Sequence, residues 1–473
     1  MSAAPSMDAS LARLRESCVV RGRQAVTSAV PQAAAAGISA FAQGGNAFDA
    51  ALAACFVETI ALPMKCGLAG DVVALFRVQG GPVRALLSIG SGAASLAQGH
   101  QLEKVGANSV GVPGAPDGYA ALHGMARLPL STLIAPATAA ACNGVRWTRT
   151  SLGYLPESRD LLARWSPDCI YLSQPEPKVD DVLRLPGLAA LLEDFALCGP
   201  ELFFAGAGAQ LVSELAARGG FLTEADLRIR PARLCAATGV ALPGGQRLFA
   251  IPAPTHGQLL VEAIARLERG SEEPAAVIAE LRKAARERGR DGRDGGTSVV
   301  TAADQEGNVV VVVHSNSFPR FGSGVVLSNG LVLNNRPGRG FDLQAPAGSP
   351  NAPAAGKTPP TTLHAWALED EAGIAFGATP GGVNQLPWNV QSVSDLLARK
   401  SLAQTVTAPR WGVDEKGDYS AEPGARIDDA TFKPRAVAAL SMRSVQQVIR
   451  VAVDGSIEAA ADPRTGARAC ASY

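Results

Sequence analysis

The sequence predicts an α+β protein, and three observations carry that prediction. Alanine-rich stretches with helical periodicity dominate the chain up to about residue 286. A charged, glycine-rich loop follows, Arg286 to Gly296. Beyond it the sequence turns to short β-branched runs separated by turn residues.

The elements can be taken in order. Residues 31–62 are alanine-rich after Pro31, and Gly44-Gly45-Asn46 divides them into two helices, the second buried. Gly67-Leu68-Ala69-Gly70-Asp71 is a turn, and residues 72–78 form a strand. Residues 116–145 are helical with a break at Leu128-Pro129. Residues 183–227 are helical with glycine breaks, and Thr223 caps the helix that starts at Glu224. The loop at 286–296 is exposed. Strands then follow at 298–303, 309–313, 324–327 and 330–333, with Asp304 to Asn308 as a hairpin turn. Two more strands, 365–368 and 373–376, bracket Glu369-Asp370-Glu371, and a helix covers about 388–398. No internal repeat is present.

Composition excludes several classes of function. Of 473 residues, 47% are hydrophobic and 18% charged, which is the profile of a folded chain. The 43 basic and 43 acidic residues balance, so nothing steers the protein to nucleic acid or to an anionic membrane. The cysteines are far apart, none in a C-x-x-C pair, and read as thiols. The histidines share no metal spacing, so neither a metal nor a cofactor is expected; His314 is the one placed near the pocket, beside Ser315. Asp8, Arg13, Arg15 and Glu16 interrupt the N-terminal stretch, and no run of about 18 apolar residues exists. The expectation is a cytoplasmic protein with no signal peptide and no membrane span.

The chemistry points to the junction Gly295-Gly296-Thr297-Ser298. A threonine that opens a strand after a flexible glycine loop suits an N-terminal nucleophile. Its hydroxyl can attack the carbonyl of Gly296 and split the chain. The freed α-amine, with a pKa of about 7.7–8, can then act as base for the same hydroxyl. Glycine before the nucleophile lowers the steric cost of a strained junction. Alone, the segment reads as an ordinary glycine-rich turn that opens a strand.

The surroundings decide between the two. Gly44-Gly45-Asn46-Ala47-Phe48-Asp49-Ala50-Ala51, Gly67 to Asp71, Val112-Pro113-Gly114 and Leu128-Pro129-Leu130 come first. Ala135-Pro136-Ala137 and Gly219 to Leu227 follow, then Thr297 to Asp304 with Gly307-Asn308. Phe321-Gly322-Ser323-Gly324, Leu333-Asn334-Asn335, Pro380-Gly381-Gly382 and Ala408-Pro409-Arg410-Trp411 complete the series. In this order the motifs resemble those of the γ-glutamyltranspeptidases, across residues 25–415. The resemblance implies an N-terminal-nucleophile hydrolase, with a four-layer αββα sandwich. It implies processing at Gly296-Thr297, giving a large subunit 1–296 and a small subunit 297–473. By position, Thr297 is the nucleophile and Gly381 and Gly382 supply the oxyanion hole. Ser315 or Asn316 contacts the nucleophile, and Thr361 and Thr362 stand at a paired-serine substrate contact.

Two departures bear on substrate. The stretch Leu87 to Ser95 holds no arginine, and Ala93 stands where the family's carboxylate-binding arginine would be. The family's acidic pair is replaced by Asn334-Asn335-Arg336-Pro337-Gly338-Arg339-Gly340-Phe341, which is similar to cytoplasmic relatives. Arg336 is the candidate for a relocated carboxylate clamp. The span from Gly257 to Thr297 is also short for the family. The expected activity is hydrolysis or acyl transfer on a small polar amide through acyl-Thr297. Two alternatives stand beside it: a member acting on an oxo-acid amide or a C–C bond, and an uncleaved non-catalytic scaffold. Expected partners are a small-molecule amide and the two subunits of one precursor, with no nucleic acid or membrane; a homo-oligomer is compatible.

Overall fold

A computed structural model describes residues 14–174, 176–292 and 296–473. Two seven-stranded antiparallel sheets lie face to face. In the first, the strands run in the order 19–22, 457–461, 447–452, 373–378, 366–370, 247–250, 238–241. In the second, the order is 468–472, 24–28, 297–303, 309–315, 71–77, 84–88, 233–236. Both sheets therefore draw strands from each side of the Gly296-Thr297 junction.

Strand Val309–Ser315 shows why two sheets stack. It is valine at every position from 309 to 313, so both of its faces are apolar. Val311 and Val313 point between the sheets, meeting Phe376 and Ile449. Val310 and Val312 point outward to a core built on the Pro31–Ala42 and Ala47–Ala61 helices. A third core lies outside the first sheet, where Leu260 and Val390 of the Gly257–Leu267 and Gln385–Leu397 helices meet Trp366 and Val448. Helix, sheet, sheet, helix is the αββα sandwich.

Most of the predicted elements are present. Asn46 caps the Ala47–Ala61 helix in a reciprocal box with Asp49, and the helix is buried along nearly its whole length. Thr223 caps Glu224–Leu227 in the same way with Asp226. The helical region at 116–145 is two helices, Ala115–His123 and Leu130–Asn143. The expected strands 324–327 and 330–333 are absent, and only a Val326–Val332 bridge remains. Side chains take the backbone groups a strand partner would use: Ser166 Oγ accepts from Val326 N–H, and Glu214 accepts from Ser328 N–H. The 286–296 loop is exposed only as far as Arg290; Asp291 and Gly292 are buried. The N-terminal residues 1–13 lie outside the described residues. Among those described, no helix is long and apolar enough to cross a membrane.

The Asp304 carboxylate ties the hairpin to the helical layer. It accepts from Ala47 N–H at 2.8 Å, at the start of the Ala47–Ala61 helix, and from the Glu306 and Asn308 backbones and the Asn308 side chain. A charged acceptor at a buried helix start contributes about 1.5–3 kcal/mol. Asp304→Ala should lower the urea midpoint by that much stability, and Asp304→Asn by less because one acceptor oxygen remains. An unchanged midpoint for the alanine variant would refute the anchor.

Candidate active site

Thr297 opens its strand directly opposite Ser315, the last residue of the paired strand. The side chain is almost fully buried, at 1% exposure. Its hydroxyl accepts a hydrogen bond from Gln385 Nε2 at 3.3 Å and directs its own proton to Ser315 Oγ at 3.5 Å. Ser315 Oγ in turn donates to the Gly296 carbonyl oxygen at 3.2 Å and accepts from Ser317 N–H at 2.9 Å. The peptide expected to break is thus held by its carbonyl, with the attacking hydroxyl oriented from both sides. Gly296 has φ of +82°, and a β-carbon on it would lie 2.0 Å from the Ser317 carbonyl oxygen. Glycine is required there on both counts.

Gln385 was not legible in the sequence, although a polar residue three positions after Gly382 at a buried helix start was a signal. Its Nε2 also donates to Thr362 Oγ1 at 3.1 Å, which brings Thr362 to the nucleophile. The Gly381-Gly382 turn leads through a short helical turn directly into Gln385. Gly381 has φ of +143°, and a β-carbon there would strike the Trp388 ring at 2.4 Å. Thr362, Gln385 and the glycine turn therefore sit as one unit beside Thr297.

The other expected residues are placed differently. Asn316 donates to the Pro63 carbonyl and turns toward the Gly67–Gly70 turn. Arg336 is fully buried; its Nε donates to Asp71 Oδ2 at 2.5 Å and its Nη1 to Thr361 Oγ1 at 3.1 Å. Burial outweighs Arg336 and the Gly90 N–H, and holds the Asp71 carboxyl above its ordinary range. His314 faces the opposite side of its strand from Ser315, because successive side chains alternate. Its Nε2 donates to Glu58 Oε2 at 2.7 Å, and its Nδ1 meets the Tyr119 hydroxyl at 2.7 Å. Burial raises Glu58, but His314 and Ser28 outweigh it and keep the carboxyl below its usual range. Glu58, Cys66 and His314 bring one donor atom each within 4.8 Å of one another, a proximity no sequence spacing revealed. Glu58 is already engaged by His314, Ser28 and Ala29 N–H, so the group is satisfied as a hydrogen-bonded network.

The segment before the nucleophile covers the site. Asp291 is paired with Arg282 and Arg286, and His256 Nε2 lies 3.3 Å from Asp291 Oδ1 and 3.0 Å from the Gly292 nitrogen. Burial raises the Asp291 carboxyl, but His256 and Arg282 together hold it below its usual range. Gly292 lies so close to Thr361 that a β-carbon would come within 2.6 Å of the Thr361 backbone. Outside this segment is a cavity of about 560 Å³ bordered by Lys104, Arg286, Asp291, Arg339, Phe341 and Glu415.

The model of a family described as gamma-glutamyltranspeptidase matches residues 33–278 and 270–472. The chain belongs to the gamma-glutamyltranspeptidase family. It is accordingly a hydrolase or acyltransferase of the N-terminal-nucleophile type. Glutathione hydrolase 2 of Arabidopsis thaliana is 29% identical over 50% of this chain, and the match spans only 43% of that protein's length. The acylase ACY 1 proenzyme of Pseudomonas sp. (strain SE83) is 27% identical over 80% of each chain. The crystal structure of a cephalosporin acylase from Bacillus halodurans superposes with a TM-score of 0.81 at 25% identity, covering 96% of this chain and 97% of the other.

His364 supports the site from below. Its Nδ1–H donates to the Thr362 carbonyl at 2.8 Å, and its Nε2 accepts from Asn389 Nδ2 at 2.9 Å, which fixes a neutral ring. Burial, with His256 nearby, pushes its pKa down to about 3 against the Thr362 hydrogen bond. The unfolded chain binds a proton here near pH 6.5 and the folded chain only near 3. The stability this neutral histidine contributes is therefore complete above pH 6.5 and lost as pH falls toward 3. His364→Gln should be less stable than the parent at pH 8. The gap should close by up to about 1.4 kcal/mol per pH unit below 6.5. A gap independent of pH would refute the neutral assignment.

Proposed function

We propose that the chain cuts itself at Gly296-Thr297 into fragments 1–296 and 297–473, and then hydrolyses or transfers the acyl group of a small polar amide through acyl-Thr297. The observation that carries this is the Thr297 hydroxyl held between Gln385 and Ser315, with Ser315 donating to the Gly296 carbonyl. In the first step the Thr297 Oγ–C bond forms, the Gly296 C–N bond breaks, and the nitrogen takes the hydroxyl proton. Water then hydrolyses the ester, which leaves a carboxylate on Gly296 and a free amine on Thr297. Ser315 stabilises the oxyanion of this step. The amine becomes the base for substrate turnover.

In the second reaction the Gly381 and Gly382 N–H groups receive the substrate oxyanion. Thr361 and Thr362 contact the substrate once the segment ending at Gly296 leaves them, and Arg336 holds Thr361 in place. Asn316 fixes the end of the Ser315 strand. The proenzyme named among the relatives supports a cut precursor, and the acylase and glutathione hydrolase names support amide chemistry.

Intact mass of the purified protein should show the two fragments, the smaller beginning Thr-Ser-Val-Val. Thr297→Ala should stay whole and inactive, whereas Thr297→Ser should keep part of both reactions. A wild-type chain that stays single after long incubation would sink this reading and leave a scaffold.

Specificity should depart from γ-glutamyl compounds. Ala93 is buried where the family's arginine would stand, and Arg336 already engages Asp71. Losing a charge-assisted carboxylate contact costs about 1.5–3 kcal/mol, or about 10- to 150-fold in binding. Glutathione should therefore turn over poorly on the cut protein compared with its preferred amide. Turnover at the rate of a dedicated transpeptidase would refute this.

A further inference from the structure

Gln385 carries one polar atom that the uncut chain leaves unused. Its side chain is fully buried at the start of the Gln385–Leu397 helix. Both hydrogens of Nε2 are engaged, one by Thr297 Oγ1 at 3.3 Å and one by Thr362 Oγ1 at 3.1 Å. Thr297 directs its own proton to Ser315, so the amide atom that faces it must be the donor, and this fixes the orientation of the amide. Oε1 is left over: it is buried, and no donor among the described residues reaches it. The helix start that carries Gln385 is held firmly. Asn384 Oδ1 accepts from Val413 N–H at 2.7 Å, Trp388 Nε1 donates to the Trp411 carbonyl at 3.0 Å, and Leu386 and Val390 pack into the outer core. A buried amide oxygen without a donor is costly and uncommon in a folded chain.

The proposed cut supplies the missing donor. In the uncut chain the Thr297 nitrogen is a peptide nitrogen with a single hydrogen. Once the Gly296 C–N bond is broken and the ester is hydrolysed, the same nitrogen is an amine, and as ammonium it carries further hydrogens to donate. Oε1 shares its carbon with Nε2, and the Thr297 nitrogen is only three bonds from Oγ1. An amide that holds the hydroxyl with one arm therefore reaches toward the nitrogen with the other. We propose that Gln385 is the positioning residue for the base: Nε2 holds the Thr297 hydroxyl while Oε1 accepts from the freed α-amine, which turns the amine lone pair to the hydroxyl proton. The inference rests on the self-cleavage reading above, because the amine exists only after the cut.

An acceptor at Oε1 favours the ammonium form over the free amine, since the charged donor makes the stronger hydrogen bond. Removing the acceptor should therefore lower the amine pKa, and a carboxylate in its place should raise it. Other charged groups stand around the amine. Arg320 Nη1 lies 3.5 Å from where a Gly296 β-carbon would be, and the Arg336–Asp71 pair lies beyond Thr361. His364 is behind Thr362, Asp291 and His256 are on the covering segment, and Glu58 and His314 are on the opposite face of the strand. None of these changes when Gln385 is replaced, so a difference between variants reports on Gln385.

The test titrates the amine without a substrate. Cut protein is treated with trace acetic anhydride from about pH 5 to 10, and acetylation of the Thr297 nitrogen is read from the mass of the small fragment's N-terminal peptide. Gln385→Met keeps the side-chain length and removes the acceptor; its midpoint should fall about one pH unit below that of wild type. Gln385→Glu restores an acceptor and adds a charge; its midpoint should lie about one to two pH units above wild type. Equal midpoints in the three cut proteins would overturn the inference and leave self-cleavage standing. Cutting by wild type but by neither variant would place the role of Gln385 before the amine exists, and would overturn the inference as well. A wild-type chain that stays uncut fails the self-cleavage reading itself, and is recognised because no peptide beginning at Thr297 is found.

Discussion

The pairing of strand Thr297–Ala303 with Val309–Ser315 is the constraint on which the site depends. It lies in the middle of its sheet and is buried on both faces. A slip of one residue would turn every valine to the wrong core and move Ser315 away from Thr297. Two things prevent it. The valines at 310 and 312 fit the helical core while 311 and 313 fit the inter-sheet core. At the far end of the hairpin, the Asp304 carboxylate gathers the turn and the start of the Ala47–Ala61 helix. The register that sets the hydroxyl against the carbonyl is therefore held by apolar burial and by an ionic anchor remote from it.

The uncut chain is a closed state. Thr297 is buried, Gly292 covers Thr361, and Asp291 pins the covering segment through two arginines and a histidine. The Thr297 hydroxyl is closed off from outside in this arrangement, while Ser315 links it to the Gly296 carbonyl. Closure thus favours the one reaction that needs no access and postpones the one that does. The Asp291 cluster lies before the proposed cut, so it would stay with the larger fragment.

What could be read from the sequence is what is local. The Thr223 cap, the Asp304–Asn308 turn and the loop-to-strand junction at Gly296-Thr297 each use residues close in the chain, with conformational rules of their own. Gly381 and Gly382 were assigned through family order, which fixes position without needing contacts. Gln385 reaches Thr297 across 88 residues, and Arg336 reaches Asp71 across 265, so neither partnership leaves a trace in spacing. The strands at 324–327 and 330–333 misread for the converse reason: their composition is β-like, but Ser166 and Glu214, distant in sequence, satisfy the backbone instead. The terminal strands Ile457–Ala461 and Arg468–Ser472 were missed because small residues replace the usual β-branched ones.

Charge, finally, separates this site from the pattern its family implies. An arginine presents a usable positive charge only if no carboxylate has already neutralised it. Arg336 is neutralised: Asp71 is its ion-pair partner, and both are fully buried. Removing that pair from each other would leave two buried charges without compensation, a penalty of several kcal/mol that an exchangeable substrate would have to offset. Arg336 is better suited to holding Thr361 than to capturing a ligand.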